Sequence, residues 1–203
     1  PGIGLWNLTR FAETLLSLLR ENEDEAVESA QQALAGYSPR FQECYRAGLA
    51  QKLGFEAANE ANQTLASTLL DTMATNRADF TLTFRSLSDL PLEDSGTDSR
   101  ASTLFDEPAA FEAWAADWRA ALAGEGRDDA GRRAAMRAVN PAFIPRNHRV
   151  AEAIAAAANE QNLQPLECLL EVTAKPFSEH DELSDYALPP QPHEVVHQTF
   201  CGT

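Results

Sequence analysis

The chain has 203 residues, 44% hydrophobic and 23% charged, with a formal charge of -15. That length builds one domain with a sizeable core or two small ones, and the composition is that of a globular protein. The acidic excess argues against a nucleic-acid-binding surface, which needs Lys and Arg, and no apolar run approaches a membrane span.

The pattern along the chain is helical throughout. From Trp6 to Arg20, Leu8, Phe11, Leu15, Leu18 and Leu19 recur at steps of three and four, which predicts a helix with that face inward. The acidic run Glu21 to Glu28 suits the first turn of a second helix, which reaches about Ala35 and stops at Gly36. Ser38-Pro39 is a start signal for a helix through Phe41, Tyr45, Leu49 and Leu53 that Gly54 ends. A longer helix follows from about Ala57 to Ala74, with Leu65, Leu69, Leu70 and Met73 inward, and a short one from Ala78 to Leu87.

Between Pro91 and Thr103 the periodicity disappears into a polar, turn-forming stretch, expected to be a mobile loop. Helical patterns resume after Asp106-Glu107-Pro108, carrying Phe111, Trp114, Trp118 and Leu122, and again from Asp128 or Asp129 to near Val139. Asn140-Pro141 is a break, because a residue before proline avoids the helical region. Two more helices follow, from about Asn147 to Ala158 and from Pro165 to Ala174. Lys175 onward, with Pro176, Pro189, Pro190 and Pro192, reads as an extended tail. No strand ladder or fixed-period repeat is visible, so the fold class is all-α. The division expected is a helical region over 1–90, a polar loop over 91–105, a second helical group over 106–175 and a tail over 176–203.

Motifs that carry chemistry are few. Neither GxxxxGK[ST] nor GxGxxG occurs, and HExxH and GxSxG are also absent. His193 and His197 stand four apart but follow Pro192, where solvated tail histidines are favoured over a metal pair. Arg146-Asn147-His148-Arg149 has two readings. It is an anion or partner contact at a helix start, or Asn147 caps the helix while the arginines tie down the loop; the second is preferred. Trp6, Trp114, Trp118 and the pair Phe80 and Phe84 read as core. Three sparse cysteines argue against a secreted disulfide framework. Cys44 and Cys168 lie in helical patterns and read as buried thiols, whereas Cys201 is near the end of the tail.

Several motifs together resemble one family. Pro1-Gly2-Ile3-Gly4-Leu5-Trp6-Asn7-Leu8, then Asp79-Phe80-Thr81-Leu82-Thr83-Phe84-Arg85, Asn140-Pro141 with Arg146-Asn147-His148, Pro176-Phe177, Tyr186 with Pro189-Pro190, and Thr199-Phe200-Cys201-Gly202-Thr203 are similar, in order, to the C-terminal part of the selenoprotein O family. The resemblance implies the helical C-terminal part of a protein-kinase-like fold. Such pseudokinase-like proteins use ATP and Mg²⁺ or Mn²⁺ to transfer AMP onto Ser, Thr or Tyr hydroxyls of target proteins. It places the nucleotide-binding residues upstream of Pro1, so no catalytic, cofactor or metal residue is expected here, and the chain alone is expected to be inactive. It also implies redox regulation through Cys201, whose disulfide partner would lie in the catalytic part. Expected partners are that upstream kinase-like domain and protein substrates, with no nucleic acid or membrane, in a bacterial cytoplasm. Two alternatives stand beside this reading: an acidic all-helical protein-binding module without catalytic activity, and a folding scaffold.

Overall fold

A computed structural model describes residues 1–93 and 100–198. Among the described residues the architecture is all-helical, with no strand. The elements are α1 (Gly2–Leu19), α2 (Glu23–Ala35), α3 (Tyr37–Lys52), α4 (Glu60–Thr75), α5 (Phe80–Leu87), α6 (Pro108–Leu122), α7 (Asp129–Val139), α8 (Asn147–Glu160) and α9 (Gln164–Ala174). Short 3₁₀ turns cover Ser102–Leu104 and Asp181–Ala187. The chain forms two compact units, Pro1–Leu49 and Ala50–Thr203, and the division falls near the end of α3.

In the first unit, α1 packs on α2. The start of α2 is over-determined: the Asn22 side chain accepts the Glu25 N–H at 3.1 Å, and Glu23, Asp24 and Glu25 place negative charge at the positive end of the helix. Ala26 and Ala30 are its buried residues. Gly36 stops α2 without a left-handed turn. It stays right-handed, and its carbonyl accepts the Arg40 N–H at 3.2 Å, so α3 begins at Tyr37, one residue before the Ser-Pro signal. A Cβ at Gly4 would collide with the Tyr37 hydroxyl. The inward face expected for α1 is only half realised: Leu15 and Leu19 are half-buried, but Leu8, Phe11 and Leu18 are exposed. Trp6, expected in the core, is 56% exposed, and Ile3 is exposed as well. The cause is composition, since α1 is apolar on more than one face while α2 covers one.

Early in the second unit stands Gly54, whose φ of +88° turns the chain away after α3 and where a Cβ would sit 2.9 Å from Met136 Sδ. A reciprocal cap follows, with the Asn59 and Asn62 side chains each accepting the other's backbone N–H at 2.9 Å, which starts α4 at Glu60. α4 packs on α6. A run of aromatic contacts joins Phe105 to Phe111, Trp114 and Trp118 at centroid separations of 4.9, 5.9 and 6.1 Å. Trp114 Nε1 donates to the Leu65 carbonyl at 2.9 Å, and Trp118 Nε1 to that of Leu53 at 2.8 Å. Trp114, Trp118 and Phe84 are core as expected, but Phe80 is about half exposed at the edge of the Phe84 ring. Arg132 is buried over the Trp118 ring, 5.2 Å from its centroid, and is held by Asp129 and the Leu90 carbonyl.

The polar stretch expected as a loop lies partly outside the described residues (94–99); after it, Ala101 and Phe105 are buried. The tail is not wholly extended. Asp181–Ala187 winds into a 3₁₀ turn because Leu183, Tyr186 and Ala187 reach an apolar cluster of Ala142, Phe143, Leu169 and Val172. Among the described residues no helix is long and apolar enough to cross a membrane.

Candidate functional site

The motifs scattered over about a hundred residues meet in the second unit as one polar network around Arg85. Asp79 caps α5 by accepting the Leu82 N–H at 2.8 Å, which fixes the helix that carries Arg85. The buried guanidinium donates to the carbonyls of Arg137 (3.1 Å), Asn140 (2.9 Å) and Phe177 (3.2 Å), and pairs with Glu179. Asn140, fully buried at the Asn-Pro break, donates to the Lys52 carbonyl at 2.9 Å and to Ser88 Oγ at 3.2 Å. Its Oδ1 accepts from Lys52 Nζ at 3.2 Å, and burial pushes that ammonium below the ordinary lysine range. The Pro176 carbonyl accepts the N–H groups of Ala142 and Phe143 at 2.8 and 3.1 Å.

The second knot lies at the start of α8. Arg146 grips Asp79 with two prongs, at 2.6 and 2.9 Å, and donates to the Ala187 carbonyl at 2.8 Å. Burial raises the Asp79 pKa, but the Arg146 guanidinium and the Leu82 N–H outweigh it, so the carboxyl is held below the usual range. Arg149 lies over the Tyr186 ring at 5.4 Å and donates to the Asp185 carbonyl at 3.2 Å. The arginines therefore tie down the tail through carbonyl hydrogen bonds, where the preferred reading had them tie down the loop. Asn147, however, does not cap α8: Arg146 occupies the cap position and no side chain accepts from the first turn.

Beside the first knot is a cavity of about 330 Å³, lined among others by Arg85, Ser86, Asp89, Phe143, Glu179 and His180. Its charges are largely paired, with Arg85 on Glu179 and Asp89 on Arg137. Among the described residues no group of three or more His, Cys, Asp or Glu could hold a metal ion. The lining of this cavity therefore supplies no such set of cation ligands. His193 and His197 are exposed and outside any helix. Cys44, expected to be buried, is exposed, and Cys168 is half-buried and accepts from Gln164 at 3.3 Å. Cys201 lies outside the described residues. Sequence reasoning missed buried Arg132; the signal was Asp129 three residues before it on one helix face.

Fold and network together define an all-helical protein segment whose two polar knots hold its own chain together. A family model described as "Protein adenylyltransferase SelO" matches residues 1–174. Over 203 residues the chain is 51% identical to a "Protein nucleotidyltransferase YdiU" of Rhodopseudomonas palustris (strain BisB5), with 100% of this chain and 41% of that protein covered. It is 50% identical to the protein of the same name in Bradyrhizobium sp. (strain ORS 278), at the same coverage, and 48% identical to that of Methylorubrum extorquens, with all of this chain and 42% of that protein covered. The chain belongs to the SelO family. It spans about two fifths of the length of these curated relatives.

Proposed function

We propose that this chain is the helical C-terminal part of a protein adenylyltransferase that moves AMP from ATP to Ser, Thr or Tyr hydroxyls of target proteins. The observation that carries the reading is the family match over residues 1–174. ATP and Mg²⁺ or Mn²⁺ belong to a kinase-like region upstream of Pro1, and the role of this segment is to buttress that region. The exposed apolar side chains of Ile3, Trp6, Phe11 and Leu18 on α1 support the buttress, because apolar surface of this kind marks a contact. Cys201 is the redox-sensitive residue in this reading; its support is the resemblance of the tail, and the expected setting is the bacterial cytoplasm.

The test is AMP incorporation from labelled ATP with Mg²⁺ or Mn²⁺, run on this chain and on the full reading frame. Label on the long form alone is the expected result. Label on neither would overturn the reading and favour an acidic binding module. Cys201→Ser in the long form should remove the response of labelling to oxidant, and an unchanged response would take the regulatory role from Cys201.

A further inference from the structure

α8 presents apolar residues on a second face that its neighbour α9 leaves uncovered. The helix packs on α9 and buries Ala153 and Ala156, yet Ile154 between them is 64% exposed. Ile154 lies in a trough of about 480 Å³ whose walls include Val150, Ala155 and Ala158, at the steps that share one side of a helix. The tail enters this trough. Val195 stands against the start of α8, in a cavity with Ile144 and Pro145, and Val196 lines that cavity and the trough alike. Gln198 lines the trough next, while His197 is exposed and is not among its walls. Alternate residues turned to one side are the pattern of an extended chain. Continued for two residues, that register brings Phe200 to the α8 side, about 7 Å beyond Gln198 at the rise of such a chain. The chemistry of the two surfaces agrees. None of the trough's walls is a charged side chain, in a protein of formal charge -15. Residues 199–203, which follow the described chain, are Thr-Phe-Cys-Gly-Thr, uncharged and with Phe200 as their one large apolar side chain.

We propose that the trough on α8 is the seat of the chain's own end, residues 199–203, with the Phe200 ring packed beside Ile154. The driving force is apolar surface removed from water on both sides of the contact. The tether makes the contact intramolecular, so it does not depend on the concentration of a partner. The same alternation turns Cys201 away from α8, so a seated tail holds its thiol outward. The seat itself rests on the trough and on the register of Val196 and Gln198, and it stands whether or not Cys201 has a redox role.

The experiment uses the full-length protein, kept reduced, with 4-(trifluoromethyl)phenylalanine in place of Phe200 and ¹⁹F NMR as the readout. The expected signal is displaced from its position in urea and has lost most of the shift that a solvent-exposed fluorine shows between H₂O and D₂O. Ile154→Asn should return it toward the unfolded position, and Ala155→Glu should do the same. Both positions are exposed, so neither change reaches the core. Dilution by roughly tenfold should change nothing, since the contact lies within one chain. A signal at the unfolded position with the full solvent shift would overturn the proposal. So would a displaced signal indifferent to both substitutions, which would seat Phe200 on another part of the long chain. A displacement lost on dilution would do so too, by seating it on a second copy.

Discussion

Asp79 does two jobs that a single substitution can separate. Asparagine caps a helix as well as aspartate does, so Asp79→Asn keeps the bond from the Leu82 N–H while removing the charge opposite Arg146. The expected loss is about 2–4 kcal/mol in urea unfolding, because a buried guanidinium is left without its counter-charge. The pH dependence has a definite sign. The folded pKa of Asp79 is lowered, so its stabilisation is full above the unfolded value near 3.8 and is lost as pH falls through the lower folded value. Asp79→Asn should flatten that acid limb. Trp118→Phe keeps an aromatic side chain but deletes the indole N–H, orphaning the buried Leu53 carbonyl, and its smaller ring leaves a gap in the core, for an expected loss of about 2–4 kcal/mol in the same measurement. The chemistry-bearing residues Arg85, Asn140 and Arg146 were visible in the sequence as motif members, but their acceptors were not. Most of those are backbone carbonyls 41 to 92 positions away, and a carbonyl has no letter in a sequence.

Helix existence was legible because the three-and-four spacing of apolar residues is what builds a buried face. The unread part was which face finds a partner. α1 repeats its apolar residues on more sides than one neighbour covers, so Leu15 is half-buried while Phe11 and Leu18 are exposed. The turn at Asp181–Ala187 escaped for a related reason: prolines on either side read as extended chain, while the pull came from a distant apolar cluster. One helix end stores strain that can be released. Gln161 closes α8 in the left-handed region at φ 55°, with the Asn162 N–H returning to the Ala156 carbonyl at 3.1 Å. Gln161→Gly should raise stability by about 0.5–1 kcal/mol, read as a higher urea midpoint at unchanged slope. A fall would mean that the Gln161 side chain makes a contact worth more than the strain.

For the molecule as a whole, the exposed Ile3, Trp6, Phe11 and Leu18 oppose the solubilising charge of -15. Expressed alone, the 203-residue chain should self-associate with rising concentration in sedimentation velocity, more so as salt screens its charge. Replacing Trp6 and Phe11 together by Ser should leave it monomeric; association unchanged in that variant would place the sticky surface elsewhere.

The Arg85 network also imposes an order on synthesis. Its guanidinium is made 92 residues before Phe177, whose carbonyl is one of its acceptors. At ribosomal speeds that is a wait of roughly 5–20 s, during which the arginine lacks that acceptor. The helices before it can form as they emerge, but the fold locks only when the stretch of chain around Pro176 arrives to close it. A nascent chain halted before that point would hold its helices and lack the clasp, and it would be the species that chaperones and proteases meet.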